Sequence, residues 1–149
     1  MPVIVLFLLS RLTAPRYHNL KLEKNEMTDF RVAAYETYLS AWAAIAGDER
    51  LRLLRESVTE GIVFKNPMKT RTGIADVTEH LEGFQGRSPG GSFHFLAMLG
   101  WEANAMATWQ FVDAEGNGGF TGYDILVFDK DHRIESIVLF GNVEKQTLK

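Results

Sequence analysis

Residues 92–140 contain four strand-like stretches separated only by short turns, and this arrangement restricts the fold more than any other feature of the sequence. Short turns join neighbouring antiparallel strands, because a parallel pair needs a crossover of a dozen or more residues. We therefore predict an antiparallel sheet in the second half of the chain. The predicted strands span 92–99, 102–112, 119–128 and 133–140, with turns at Gly100, 113–118 and 129–132.

A helix is predicted before these strands over residues 29–46. Its apolar residues recur at the three- and four-residue spacing of a single helix face. Thr28 or Asp29 is a suitable cap for its first turn, and Gly47 is expected to end it. The stripe consists of Tyr35, Tyr38, Leu39, Trp42 and Ile45.

Two further helices and a short strand complete the first half of the chain. Asp48 is expected to cap the second helix, and the short strand is predicted at 62–64. Thr72-Gly73 opens the third helix. The predicted buried positions are Leu51, Leu54 and Val58 in the second helix and Ile74, Val77, Leu81 and Phe84 in the third.

Helices followed by a run of strands indicate an α+β domain. The last two predicted strands are apolar on both faces, in 123–128 and 134–140. An antiparallel sheet with one face in water should alternate between apolar and polar residues. Because the helices can cover only one face, we expect the other face to form a homodimer interface.

Residues 1–26 differ in composition from the remainder and are expected to form a poorly ordered extension before a domain at 27–149. The apolar run from Val3 to Leu9 is too short to span a bilayer. A signal peptide is the alternative, but no basic residue precedes the run and no good cleavage site follows it. We predict a cytoplasmic protein without a membrane-spanning segment, in which residues 1–26 are dispensable for folding.

Composition excludes several kinds of chemistry. The chain contains 149 residues and no cysteine, so disulfides, thiol nucleophiles and thiolate metal sites are absent. Its net charge is −3, and no basic run interleaved with aromatic residues suggests nucleic-acid binding. The four histidines are scattered and show no metal-ligand spacing, so neither a metal nor another cofactor is predicted.

Across residues 29–142 the order of elements resembles the nuclear transport factor 2-like superfamily, in particular its SnoaL-like and ketosteroid isomerase-like domains. The resemblance implies three N-terminal helices packed on a strongly curved, mainly antiparallel sheet, a cone-shaped α+β barrel around an apolar pocket. The matching segments are Trp42…Ala46-Gly47-Asp48, Val63-Phe64-Lys65-Asn66-Pro67 with Gly73, Gly122–Phe128, Arg133-Ile134 and Phe140-Gly141.

The same resemblance implies pocket positions. Ketosteroid isomerases place a general-base aspartate just before the proline, where this chain has Asn66. Their first-helix tyrosine falls on Ser40 when counted back from Gly47, with Tyr38 two residues away. Asp124 matches their second aspartate, and the SnoaL-like cyclases use a strand aspartate as base. The pairing of Asn66 with Asp124 is thus similar to the cyclase arrangement.

The residues themselves also single out Asp124, since aspartate is disfavoured in the middle of a strand. If it faces inward, burial raises its pKa and makes it a candidate acid or base. The alternative is a structural aspartate, hydrogen-bonded to a neighbouring strand or across a dimer. His94, between Phe93 and Phe95, is a second candidate base or a residue of the sheet surface.

Other residues are candidate ligand contacts, although each has a structural alternative. His80 lies at the margin of the third helix's apolar stripe, and Asn66 either binds a ligand carbonyl or caps the turn before Pro67. Large aromatic residues form pocket walls as readily as they form a core. The aromatic candidates are Tyr38, Trp42, Phe84 and Trp109.

Three functions remain open from the sequence. The first is an isomerase, cyclase or dehydratase that transfers protons on an apolar cyclic carbonyl compound, with Asp124 as proton carrier and His94 assisting. The second is a non-catalytic module that binds a small apolar ligand or forms a dimer. The third is a protein-interaction role like that of nuclear transport factor 2 itself, for which no specific surface pattern is present.

Overall fold

The computed structural model describes residues 29–142, which form three helices and six strands. The predicted extension at 1–26 and the possible cap Thr28 lie outside the described residues. The helices are α1 (Phe30–Ser40), α2 (Gly47–Ser57) and α3 (Ile74–Arg87). The strands are β1 (Val58–Lys65), β2 (Thr70–Thr72), β3 (Ser92–Trp101), β4 (Asn104–Val112), β5 (Gly118–Phe128) and β6 (Ile134–Phe140).

The strands form one sheet in the order β2-β1-β6-β5-β4-β3. The pairing of β1 with β6 is parallel, and the other pairings are antiparallel. The predicted α+β class is therefore confirmed. The predicted cone-shaped barrel is confirmed only in part. Within residues 29–142 the sheet is open, with β2 and β3 as its edge strands.

The sheet has an inner face covered by the helices and an outer face without cover from the described part of the chain. Alternate residues of β4 and β5 point inward, including Ala107, Trp109, Asp124 and Leu126. They join the apolar faces of α1 and α3 in a single core. The outer face carries exposed apolar side chains from four strands: Leu99, Trp101, Met106, Tyr123, Ile125 and Phe140.

The first helix is shorter than the prediction of 29–46, because it ends at Ser40. Asp29 caps its start by accepting a hydrogen bond from the backbone N–H of Arg31. Buried Arg50 of α2 donates to the carbonyls of Ala41, Ala43 and Ile45 in the loop between α1 and α2. These hydrogen bonds give the loop carbonyls partners although the loop is not helical. Gly47 therefore begins α2 instead of ending α1.

Three other predicted boundaries are wrong. Val58 begins β1 instead of belonging to α2, so the strand is longer than 62–64. The short strand β2, which pairs with the end of β1, was not predicted. Gly100 lies inside β3, and the turn begins two residues later at Glu102, which adopts a positive φ of 49°.

No helix in the described part of the chain is long and apolar enough to cross a membrane.

Candidate functional site

Asp124 lies in the middle of β5 on the inner face of the sheet, between Ala107 of β4 and Leu139 of β6. Its neighbours on the same strand face, Leu126 and Phe128, are buried in the core. Asp124 itself is only 2% exposed. The expected inward orientation is therefore confirmed, and a carboxyl group sits where water has almost no access.

One oxygen of this carboxyl group is held in place and the other is free. The hydroxyl of Tyr35 in α1 donates a 2.8 Å hydrogen bond to Oδ2 of Asp124. Within residues 29–142, Oδ1 has no hydrogen-bond partner. A buried polar atom left in this state is costly, and such atoms are typical of sites that bind a ligand or water.

Burial raises the pKa of Asp124 from 3.8 to about 7. Desolvation of the ionised form is the main cause, and the Tyr35 hydrogen bond and the nearby Trp109 N–H partly oppose it. A carboxyl group of this pKa takes up and releases a proton near neutral pH, which is the property that a general acid or base requires.

Two further buried polar atoms belong to the same cluster. The hydroxyl of Tyr38 and the indole N–H of Trp109 both lack hydrogen-bond partners of good geometry in the described part of the chain. Burial, followed by the charge of Asp124, holds the pKa of Tyr38 well above 10.0. Tyr38 therefore stays neutral and keeps its proton available as a donor.

Asp124 faces a small inner cavity of about 10 Å³, which is room for a single water-sized group. Apolar side chains dominate its lining, which consists of Leu39, Trp42, Phe93, Trp109, Asp124 and Leu139. Trp42 and Trp109, two of the predicted ligand contacts, both line this cavity. The cavity is nevertheless too small for a cyclic compound unless part of the wall moves.

Gly122 makes the position of the Trp109 indole possible. The two residues are cross-strand partners, and the indole lies across the backbone of Gly122. A Cβ at position 122 would collide with the Trp109 ring and with the carbonyl oxygen of Phe140. Gly122 therefore leaves room for the Trp109 ring to lie against β5, two residues before Asp124.

Two of the predicted ligand contacts, Phe84 and His80, do not line this cavity but pack against Trp42, which does. Phe84 packs with its ring 5.3 Å from that of Trp42. His80 lies half-buried against the Trp42 and Phe64 rings, at 5.4 and 5.2 Å. Burial, followed by the charges of Arg71 and Arg87, lowers the pKa of His80 from 6.5 to about 4. His80 is thus a neutral packing residue that supports Trp42.

The remaining two predicted site residues lie away from Asp124. His94 is exposed on the outer side of β3, opposite Gln110, and its Nε2 lies 3.1 Å from the Ser92 hydroxyl. The structure therefore does not bring His94 and Asp124 together. Asn66 accepts hydrogen bonds from the N–H groups of Met68 and Lys69, so it caps the turn after β1.

Four further residues complete the site and were not predicted from the sequence as site residues: Tyr35, Leu39, Phe93 and Leu139. Tyr35 was the most accessible of these to sequence reasoning. It lies three residues before Tyr38 on the same helix face, so either hydroxyl could reach a shared buried partner. Ser40 is the last residue of α1, and residues 41–46 between it and Gly47 are not helical.

Among residues 29–142, no group of three or more histidine, aspartate or glutamate side chains lies close enough together to hold a metal ion.

The fold and the buried Asp124 cluster define a small α+β protein with an acid–base group inside an apolar core. A family model for the SnoaL-like domain matches residues 35–137, and the chain belongs to this family. The resemblance to the nuclear transport factor 2-like superfamily is thereby confirmed. No curated protein matches the chain.

Solved structures with a similar fold come from several bacteria. A proposed isomerase of the SnoaL-like family from Agrobacterium tumefaciens str. C58 has a TM-score of 0.70 at 22% identity, covering 77% of this chain and 98% of that one. A proposed SnoaL-like polyketide cyclase from Jannaschia sp. CCS1 has a TM-score of 0.61 at 12% identity, covering 77% and 87%.

An NTF2-like protein of unknown function from Exiguobacterium sp. 255-15 has a TM-score of 0.60 at 14% identity, covering 74% of this chain and 98% of that one. At these levels of identity, the likeness establishes the fold and leaves the activity open.

Proposed function

We propose that the protein transfers a proton on a small apolar cyclic carbonyl compound, as an isomerase, dehydratase or cyclase does, with Asp124 as the proton carrier. The observation that carries the proposal is the free Oδ1 of Asp124, which has no partner among the described residues and belongs to a carboxyl group with a pKa of about 7. Relatives of similar fold that are proposed isomerases and cyclases support the same chemistry.

In the proposed step, ionised Asp124 accepts a proton at Oδ1 from the carbon next to the carbonyl group. The electrons of the broken C–H bond form the carbon–carbon double bond of an enolate, and the negative charge moves to the carbonyl oxygen. Where the compound has a carbon–carbon double bond one position beyond this carbon, the enolate extends over it, and return of the proton from Asp124 to the far carbon gives the isomer. Tyr35 holds Oδ2 throughout, so the accepting oxygen keeps its direction.

The enolate oxygen needs hydrogen-bond donors, because stabilising the developing charge is usually the largest contribution to such catalysis. The Tyr38 hydroxyl and the Trp109 N–H are suitable, since both are buried and neither makes a hydrogen bond of good geometry within the described residues. The high pKa of Tyr38 keeps it protonated, so it donates without losing its own proton.

The experiment follows deuterium exchange at the carbon next to the carbonyl group of cyclopentanone and 2-cyclohexenone in D₂O by NMR. General acid–base groups contribute about 10²- to 10⁴-fold, so Asp124→Asn should slow the exchange at least about 100-fold. Asp131→Asn, in an exposed turn, is the matched control and should not change it. Exchange no faster than in buffer, or equal rates in parent and Asp124→Asn, would contradict the proposal.

A non-catalytic ligand-binding or dimerisation module is the second candidate, and the exposed apolar residues on the outer face of the sheet favour dimerisation. The same NMR samples separate the two. Broadening or shifting of the ketone resonances without exchange would support binding alone.

A further inference from the structure

A second and much larger cavity lies next to the inner cavity that Asp124 faces. It is a cleft of about 690 Å³ between α1, the start of α2 and the edge strand β3. Its apolar lining includes Ile45, Leu53 and Phe95, and its polar lining includes Glu36, Ser92 and His94. A volume of this size is typical of small-molecule pockets, whereas the inner cavity at Asp124 is not.

Leu39 and Phe93 line both cavities. They therefore form the partition between the open cleft and the buried Asp124 cluster. We propose that a ligand reaches Asp124 through this cleft, and that Leu39 and Phe93 are the wall that moves to admit it. The proposal rests on the proposed function in that Asp124 is taken as the ligand's destination.

The β3 side of the inner cavity is the side that can move. β3 is an edge strand that pairs only with β4 among the described residues, and its register shifts between Phe95 and Ala97. The ring of Phe93 is only partly buried. On the opposite side, Leu139 belongs to β6, which is held by strands on both of its sides.

Leu39 has a similar freedom on the helical side of the partition. It is the next-to-last residue of α1, immediately before the helix ends at Ser40. Residues at helix ends fray more readily than those inside. Trp42 has ring contacts that do not involve Phe93, since it packs against Phe64 and Phe84. Trp109 likewise lies against the backbone of Gly122, in the middle of the sheet.

The cleft also indicates which ligands fit. Its floor is apolar, so it suits the ring body of the molecule. Glu49 is paired with Arg52 at 2.7 Å, whereas Glu36 has no ion pair within residues 29–142. A hydroxyl or amino group at the outer end of the ligand would therefore form hydrogen bonds with Glu36 and His94 in the cleft. His94 then acts in recognition at the entrance, away from the proton transfer.

The test measures how easily acrylamide, a small neutral quencher, reaches the two tryptophans of the inner cavity. Trp101 is 67% exposed, so Trp101→Phe is introduced first to leave only Trp42 and Trp109 emitting. In this background, Leu39→Ala should raise the quenching constant about threefold or more, because truncation leaves an opening in the partition. Far-UV circular dichroism confirms that the fold is retained.

Two variants serve as controls. Leu53→Ala changes the cleft without touching the partition, and Leu139→Ala changes the inner cavity from the opposite side. Neither should raise the quenching as Leu39→Ala does. A larger effect from Leu139→Ala, or no effect from Leu39→Ala, would overturn the proposed route. If Leu39→Ala does not fold, Phe93→Leu makes the same test.

The outcome for the route is distinct from that for catalysis. If Leu39→Ala alone opens the inner cavity to acrylamide while no ketone exchanges deuterium in the parent protein, the route stands and the proposed proton transfer fails. If Asp124 catalyses exchange but Leu39→Ala changes neither the quenching nor the exchange rate, the catalytic proposal stands and the route is wrong.

Discussion

The Tyr35 hydroxyl and Oδ2 of Asp124 are 2.8 Å apart, and this hydrogen bond links the first helix to the centre of the sheet. It fixes one oxygen of the carboxyl group and thereby sets the direction of the other. Because Tyr35 donates, it stabilises the ionised form of Asp124 and opposes the effect of burial on the pKa.

Removing this donor should raise the Asp124 pKa further above 7. In Tyr35→Phe, desolvation remains while the opposing hydrogen bond is lost. Carbon-13 NMR titration of the aspartate carboxyl groups measures the shift directly. Tyr123→Phe, which removes an exposed hydroxyl from the outer face of the same sheet, is the control and should leave the titration unchanged. An unchanged or lower pKa in Tyr35→Phe would contradict this account.

Asp124 should make the parent protein less stable as pH rises. Between 3.8 and about 7, the unfolded chain has released this proton while the folded chain still holds it. Stability therefore falls as pH rises through this window, by on the order of 4 kcal/mol if the whole shift is expressed. Asp124→Asn has no such group, so its stability relative to the parent should rise over the same range.

Urea unfolding of both proteins at about pH 5 and pH 8 tests this difference. The comparison between variants is needed because His80 acts in the opposite sense. Its pKa is lowered from 6.5 to about 4, so its contribution to stability is lost as pH falls through that range. A constant difference between parent and Asp124→Asn across the two pH values would mean that the carboxyl group is solvated or ion-paired.

Gly122→Ala should displace the Trp109 indole, because the added methyl group occupies the space of the ring. We expect a loss of about 1–3 kcal/mol of stability, as is usual for overpacking, together with a changed near-UV circular dichroism spectrum. Gly61→Ala is the matched control. Apart from Gly61 and its two chain neighbours, no described residue has an atom within 4 Å of the position its Cβ would take, so it should leave both properties nearly unchanged.

The outer face of the sheet is expected to form the interface of a homodimer. Its exposed apolar residues include Tyr123 and Ile125 at the centre of the sheet. Light scattering at micromolar concentration should give the mass of two chains, and Ile125→Asp should shift it toward one. Met68→Asp, at a residue 90% exposed in the turn after β1, is the control for added charge. A monomeric parent protein would contradict the prediction.

Strands β3 to β6 were predictable from the sequence because each alternates or runs apolar between clear turns. The end of α1 was not, since it depends on Arg50 binding the carbonyls of a loop that precedes it in the chain. The apolar pattern continues through Trp42 and Ile45, so it favours a longer helix. A tertiary contact of this kind overrides the local signal.

The site was predictable in its centre but not in its surroundings. Asp124 stands out because a carboxyl group is unfavourable inside an apolar strand. His94 does not stand out in this way. Strand alternation places it on the face opposite Phe93 and Phe95, but does not determine which of the two faces points inward. The partition formed by Leu39 and Phe93 is a relationship between two cavities, and such a relationship exists only once the chain has folded.

The parallel pairing of β1 with β6 has a consequence for how the chain folds. Val58 and Phe64 are aligned with Ile134 and Ile137, so the first strand of the domain has its principal partner in the last. Until β6 has left the ribosome, the three residues of β2 are the only strand partner of β1 among the described residues. Completion of the sheet is therefore a late, non-local event, and non-local pairing slows folding. A nascent chain that stalls before Ile134 would expose an apolar strand edge, which invites association with other chains.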